Sequence, residues 1–354
     1  MRIGIMTFHW ATNHGALLQA YALQKFLSKK LPDSEVLIID YYPQKYVPSF
    51  KKCFHSRHVS AIVGNLKNFK KEKKLAPFRN KLIKTQRYFS AKQLLDYPPD
   101  VDLLIAGSDQ IWNEFFTMNG EGGKTAAYYL NFKSEAKRIS YAASFGLIEL
   151  KKDMANFIKP YLEKFNAISV RENSGKDILE KIGIDSSLVC DPTFLLSEED
   201  YQSFCNENFN NRKFVAKCIL RANSKEIHNI IYKLMKEKYK KAKVLDISTE
   251  TMGNWLSGIM NAEFVITNSY HCMVFSLIFH TPFAVILEKN VLSGMNDRFY
   301  TLLKLIGLEN RIITDQVNIS EIINSEIDWK SVDKTLVDFS KNSEKFLLEN
   351  CKEK

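Results

Sequence analysis

The sequence predicts an α/β protein built from two parallel-sheet domains. Short β-branched apolar runs alternate with helical patterns along most of the chain, the sign of strands joined by crossover helices. The alternation stops and restarts once, near residues 192–212, where acids and Asn replace any sustained apolar period. At 354 residues, with 45% hydrophobic and 12% aromatic content, the chain is long enough for two cores.

Arg2–Thr7 reads as the opening strand, followed by the loop HWATNHG and a helix over about 16–27 with Leu17, Leu18, Tyr21, Ala22 and Phe26 on its apolar face. Val36–Ile39 is the second strand, ending at Asp40. Val101–Ala106 is a strand ending in Gly107, Ser108, Asp109 and Gln110; Arg138–Ala143 is another, ending in Ser144, Phe145 and Gly146. Ala167–Val170 ends at Arg171 and leads to a helix capped by Asn173 or Ser174. The second half brings a strand over Phe214–Leu220 ending at Arg221, a helix over Glu226–Tyr239, a strand over Lys243–Ile247 and a helix over Gly253–Asn261. Strand Phe264–Thr267, an apolar helix to Phe279 and strand Phe283–Leu287 follow. The expected domains are 1–195 and 196–330, with a polar helix in 331–354 crossing back onto the first.

No apolar run reaches the roughly 18–20 residues of a membrane span, and MRIGIMTF lacks the layout of a signal peptide, so a cytoplasmic protein is expected. The six cysteines, without CxxC spacing, read as reduced core residues. The formal charge of +10 is concentrated: residues 51–92 hold thirteen Lys or Arg and one acid, Glu72. Ile62, Leu66, Phe69, Leu75, Phe78, Leu82 and Ile83 interleave with these charges at helical spacing, which predicts one or two basic amphipathic helices. Such a segment can lie on anionic headgroups at the inner membrane face, or be an ordinary solvated helix. Nucleic acid is not expected, since no nucleic-acid-binding signature accompanies the charge.

Neither GxGxxG after the first strand nor GxxxxGK[ST] occurs, and no HExxH or carboxylate constellation suggests a metal. The most informative stretch is FVITNSYHCMVFSLIFHTPFAVI, residues 264–286, which sets Asn268, Ser269, Tyr270 and His271 at the carboxyl end of a buried strand and the start of a helix. Open α/β sheets bind ligands at that edge, and a helix amino terminus there offers N–H groups to an anion. His271 suits phosphate capture and proton transfer, against the alternative of a histidine packed in the core. Arg221 and Arg298 suit anion recognition by their planar forks, against a strand-terminus surface residue and a local pair with Asp297. Asn13, His14 and Gly15, then Ser108, Asp109 and Gln110, and Arg171 stand at strand ends that would face an interdomain cleft. Asn13 and Gly15 are equally suited to shaping the turn, and Asp109 to capping a helix over Gln110–Trp112.

TNHGALLQAYALQ, LLIAGSDQIWN, ISYAASFG, ISVRENSG, DPTFLL, VITNSYHCMVFSLIFHTPF and NDRFYTLLKLIGLENR, in that order, resemble the polysaccharide pyruvyl transferase family over about residues 1–311. The resemblance implies two Rossmann-like domains facing a cleft, similar to GT-B glycosyltransferases, and transfer of pyruvate from phosphoenolpyruvate to a sugar as a ketal in surface polysaccharide biosynthesis. It implies no cofactor beyond the donor substrate and no obligatory metal. By motif position His271 matches the histidine of the family's donor-binding Arg-x-His, and Arg221 an earlier strand-end arginine. Ser269 stands where that motif has its arginine, so Arg298 or Arg171 would supply the missing cation. The acceptor is expected on a polyprenyl diphosphate, where the 51–92 segment would meet the membrane. Two other readings remain: a GT-B-like glycosyltransferase using a nucleotide sugar, and a non-catalytic sugar- or phosphate-binding member of an assembly complex.

Overall fold

The computed structural model describes residues 1–54, 58–121, 123–132, 134–206, 209, 213–220, 225–287, 293–314 and 318–352. The chain forms two compact units, one of Met1–Leu195, Leu292–Arg298 and Asp338–Lys354, the other of Leu196–Val291 and Phe299–Val337. Each is an α/β unit around a parallel sheet, as the fold class predicted.

In the first unit β1 (Arg2–Met6), β2 (Glu35–Tyr41), β3 (Lys84–Tyr88), β4 (Leu103–Ala106) and β5 (Lys137–Ser140) lie in the order β3-β2-β1-β4-β5, all parallel. Ile3, Ile5, Ile38, Ile39, Leu104 and Ile105 are fully buried because helices cover both faces, which is why these strands read as unbroken apolar runs. A parallel pair, β6 (Ser169–Val170) with β7 (Ser187–Leu188), extends the array through single bridges Ile139–Ala167 and Ala143–Val170. In the second unit β8 (Phe214–Cys218), β9 (Lys243–Asp246), β10 (Phe264–Thr267), β11 (Phe283–Ile286) and β12 (Ile312–Ile313) form a parallel sheet in the order β12-β11-β10-β8-β9. Val215, Phe264, Ile266, Ala284 and Leu234 make the centre of its core.

The basic segment departs from expectation at its end. Its helix spans Val59–Arg79, but Lys84–Tyr88 is β3, an edge strand rather than helix. In KTQRY only Tyr88 is buried, so this strand carries almost no apolar signal, as an edge strand can. The helix is fastened by its one acid. Arg79 grips both carboxylate oxygens of Glu72, with Nη2 to Oε2 at 3.0 Å. Arg79 also donates to the carbonyls of His9 (3.0 Å) and Ala11 (3.3 Å), and Thr12 donates to Glu72 (2.7 Å). The pair therefore clamps the helix to the loop leaving β1. The closing helix, Trp329–Cys351, receives the Cys190 N–H on the Ser343 hydroxyl (2.9 Å) and donates from Ser340 to the Phe194 carbonyl (2.7 Å). Among the described residues no helix is long and apolar enough to cross a membrane.

Arg79→Met leaves the Glu72 carboxylate buried without its partner. Urea unfolding should show a loss of about 3–5 kcal/mol, with Glu72→Leu/Arg79→Met recovering much of it, because removing both charges leaves nothing uncompensated.

Candidate active site

In the second unit, β8 and β10 lie side by side while their successors β9 and β11 lie on opposite sides, so the winding reverses between them. A doubly wound sheet binds its ligand at the carboxyl ends of such a pair. Here those ends are tied together. Thr267 Oγ1 donates to Cys218 O (2.8 Å) and accepts from the Ser269 N–H (2.9 Å), while Asn268 Oδ1 accepts from the Leu220 N–H (2.8 Å). Asn268 thus fixes the backbone just before Arg221, which itself lies outside the described residues. Ser269 is the N-cap of helix Tyr270–Ile278, with extended backbone and its hydroxyl accepting from the Cys272 N–H (3.4 Å). His271 sits in the first turn, 6% exposed, its ring tilted nearly perpendicular to that of Tyr270. No acid stands in that turn, so the positive end of the helix is left for an anion.

The first unit has its reversal between β1 and β4, where Thr7 Oγ1 donates to Ser108 O (2.7 Å). Asn13 caps helix His14–Lys30 by accepting from the N–H groups of Gly15 (2.9 Å) and Ala16 (3.3 Å). The same unit holds a buried ion cluster. Arg171, Glu172 and Asp191 are 3%, 1% and 1% exposed. Arg171 Nη1 donates to Asp191 Oδ2 (2.7 Å), with Ser108 Oγ 3.4 Å from both, and Arg171 Nε is 3.8 Å from Glu172 Oε2. Asp191 Oδ1 accepts from the backbone N–H (3.1 Å) and hydroxyl (2.8 Å) of Thr193. Glu172 Oε1 accepts from the N–H groups of Phe145 (3.0 Å) and Gly146 (3.4 Å). Burial pushes the Glu172 carboxyl above its ordinary range, opposed by Arg171, Ser144, the Gly146 N–H and Arg298. Asp297 accepts from the Ser174 N–H (2.8 Å) at the start of helix Asn173–Lys181.

The expected helix caps change accordingly. The residue preceding helix Asn173–Lys181 is Glu172, not Asn173 or Ser174, and the carboxylate that meets its first turn comes from Asp297. Asp109 caps no helix over 110–112: the next helix is Glu114–Asn119, capped by Asn113. Asp109 instead has φ 76° and bridges to Ala143, in the left-handed region that Asp tolerates better than most residues. Gln110 has a buried amide nitrogen with no hydrogen-bond partner among the described residues. Gly146, at φ 62°, lies against Gln110; a Cβ there would be 2.9 Å from its Cδ. Among the described residues no group of three or more His, Cys, Asp or Glu could hold a metal ion.

A family model described as polysaccharide pyruvyl transferase matches residues 13–290. The chain belongs to this family. Segments that carried the resemblance converge in space: Ser108 of GSDQ, Phe145 and Gly146 of SFG, Arg171 and Glu172 of VREN and Asp191 of DPT meet in one cluster, on which the Arg298 charge of NDRF also acts, while Asp297 meets the helix start beside it. No curated protein matches the chain significantly. Among solved structures, the S. aureus MnaA–UDP complex is similar with TM-score 0.52 and 12% identity, covering 100% of this chain and 98% of the other. The UDP-GlcNAc 2-epimerase of Methanocaldococcus jannaschii in complex with UDP-GlcNAc and UDP has TM-score 0.50 and 15% identity, covering 98% of both chains. That of Rickettsia bellii has TM-score 0.50 and 11% identity, covering 98% of this chain and 96% of the other. These likenesses show the fold alone, a two-domain Rossmann-like architecture of GT-B type.

Glu172 and Asp191 escaped the sequence reading although they lie inside the quoted motifs, and Asp297, read only as a local partner for Arg298, meets the Ser174 N–H. A carboxylate beside an arginine reads as a local surface pair, and nothing in the spacing shows that residues 171 and 191 share a buried pair.

In this pyruvyl transferase family member Ser269 acts as a helix cap. Ser269→Ala should lower stability by about 1 kcal/mol in thermal or urea unfolding, and Ser269→Asp should restore it, because either side chain can accept from the first-turn N–H.

Proposed function

We propose that the protein transfers the enolpyruvyl group of phosphoenolpyruvate to a pair of sugar hydroxyls, forming a pyruvate ketal. The observation that carries this reading is the strand-end constellation Asn268–Ser269–His271, at a helix start with no acid in its first turn, in a chain of this family. Such a start favours a phosphate or carboxylate, and the histidine is a proton carrier beside it. Asn268 and Ser269 hold the backbone and offer hydrogen bonds, and Arg221 is the cation assigned to the donor; Arg298, expected there from the sequence, belongs to the first unit, where its charge acts on Glu172. Arg171 is committed to Asp191 and serves instead to position the loops around Asn13, His14, Gly15, Ser108, Asp109 and Gln110, assigned to the acceptor.

The chemistry balances without a further reactant. A proton adds to C3 of phosphoenolpyruvate, giving a methyl group and an oxocarbenium-like C2. One sugar hydroxyl attacks C2 and loses its proton; the C2–O bond to phosphate breaks, and the second hydroxyl closes the ketal, again losing a proton. Two protons are released, one replacing that taken up at C3 and one leaving with phosphate. His271 is the acid that gives C3 its proton, and the helix-start N–H groups beside it stabilise the departing phosphate.

The acceptor is proposed to be a lipid-linked oligosaccharide met at an anionic membrane surface. Support comes from the basic helix, where Val59, Val63, Lys67, Lys70 and Lys74 recur on one face and all are exposed. Val59 is 75% exposed, and Phe50 and Phe54, ring centroids 5.2 Å apart, are 56% and 52% exposed nearby in sequence. Apolar side chains ahead of a row of ammonium groups suit a headgroup interface.

His271→Ala should reduce phosphate release and ketal formation by about a hundredfold or more. The ketal is read by mass spectrometry as an acceptor heavier by one pyruvic acid less one water. Ser269→Asp keeps the cap but sets a carboxylate where the donor anion would lie, so the KM for phosphoenolpyruvate should rise. Unchanged turnover in both variants would remove this helix start from the reaction.

Changing Lys67, Lys70, Lys73 and Lys74 to Gln should weaken binding to phosphatidylserine-containing liposomes by about 1 kcal/mol per charge at low salt, while activity on a short soluble acceptor persists. Lys71 is buried and is left in place. A parent protein that ignores such liposomes would return the helix to ordinary solvated surface.

A further inference from the structure

Asp40, Asp109, Glu172 and Asp191 stand at or just past the carboxyl ends of β2, β4, β6 and β7, the edge where a doubly wound sheet receives its ligand. Three of them are committed. Asp40 lies between His9 Nε2 (2.8 Å) and Arg87 Nε (2.9 Å), Asp191 is held by Arg171 and Thr193, and Glu172, 1% exposed, takes the Phe145 and Gly146 N–H groups. Asp109 is different: it is partly exposed and makes no ion pair among the described residues. Its Oδ1 accepts from the Gln110 N–H (2.8 Å), while its Oδ2 has no hydrogen-bond partner among them and keeps accessible surface.

The backbone presents this carboxylate under strain. At φ 76° Asp109 lies in the left-handed region, where glycine is at ease and a residue with a Cβ is not. The main chain is fixed without help from the side chain: the Asp109 carbonyl accepts from the N–H groups of Ile111 (2.8 Å) and Ser144 (3.0 Å), and the residue bridges to Ala143. A glycine would satisfy this turn with less strain, yet the position carries a carboxylate. Its charge is felt toward the loop that leaves β1. Burial raises the pKa of the Tyr128 hydroxyl, which receives the Trp10 N–H (2.9 Å), and Asp109 is among the charges that add to the rise.

We propose that Asp109 is the general base that takes the proton of the attacking sugar hydroxyl. This rests on the transferase reading above, which provides an acid in His271 and leaves the acceptor without a base. The hydroxyl O–H bond breaks, its electron pair forms the bond to the oxocarbenium-like C2, and the proton goes to Asp109 Oδ2; the carboxyl returns it to water when the ketal leaves. The proton of the second hydroxyl leaves with phosphate. A carboxylate fixed through one oxygen and open at the other is oriented for such a transfer.

The test compares Asp109→Asn and Asp109→Gly with the parent, as whole chains, by phosphate release from phosphoenolpyruvate over methyl glycosides and lipid-linked disaccharides of galactose, mannose and N-acetylmannosamine. Asparagine suits the left-handed backbone and keeps an acceptor for the Gln110 N–H, and glycine relieves the strain, so both variants should melt no more than about 2 °C below the parent. Their kcat should fall about a hundredfold or more, with donor and acceptor KM changed less than about threefold. Sodium formate should restore part of the turnover of Asp109→Gly, where the place of the side chain is vacant, and none to Asp109→Asn. An Asp109→Asn protein that turns over as the parent does overturns the base, as does a loss confined to the acceptor KM or a folded, inactive Asp109→Gly that formate leaves inactive. If both variants melt well below the parent and formate restores nothing, Asp109 only shapes the turn and the proposal falls. A parent that releases no phosphate with any acceptor sinks the transfer reading and the base with it, whereas an active parent with an active Asp109→Asn sinks the base alone.

Discussion

The constraint on which the first unit depends is the buried pairing of Arg171 with Asp191, flanked by Glu172. Three charges at most 3% exposed are far from water, and each is tolerable only while its partners stay in place. The partners come from different connections: Ser108 follows β4, the Phe145 and Gly146 amides follow β5, Arg171 and Glu172 follow β6, and Asp191 follows β7. A shift in any one loop would strand a charge. The cluster therefore ties separate loops into one rim. The same rim holds Ala142 at φ 55°, its N–H given to Ser169 Oγ (3.2 Å), a conformation that alanine adopts only when its surroundings dictate it.

The second unit is organised differently, around the helix start at Ser269, which has no acid in its first turn. A serine in that place cannot carry charge, but as an N-cap it satisfies the Cys272 N–H in the first turn of the helix. Thr267 and Asn268 then lock the neighbouring strand end against it, through Cys218 O and Leu220 N–H. The site is thus organised by backbone hydrogen bonds, with side chains used as ties.

Much of this was legible in the sequence because parallel strands buried on both faces announce themselves as short apolar runs. Phe264–Thr267, with Ser269 as the residue starting the next helix, is the clearest case. The fold class followed from counting such runs. What stayed hidden lacks an apolar signature. Strand β3 is hidden as KTQRY, and β7 is only Ser187–Leu188; β12, Ile312–Ile313, is apolar but too short to show a strand pattern. In the candidate site the sequence pointed to Arg171, His271 and Asn268 by their places at strand ends. It did not show that Glu172 and Asp191 share a burial site, nor that Glu72, a lone acid among lysines, faces inward. Those facts depend on pairings between separate loops, and on a helix whose direction relative to the core no periodicity specifies.

The two sheets differ in winding, and the difference has one source. Numbered by unit, the first sheet runs 3-2-1-4-5 and the second, read from its β9 edge, 2-1-3-4-5. Remove β3 and the first becomes 2-1-4-5, wound in the same sense as the second. The third strand arrives with the basic helix, hydrogen-bonds only to β2, and sits at the sheet's margin. The insert is accordingly a cassette added to the edge of an otherwise ordinary doubly wound unit. Such a margin can lengthen or shorten without rewinding the sheet, because β2, β1, β4 and β5 keep their order and pairing when it is left out.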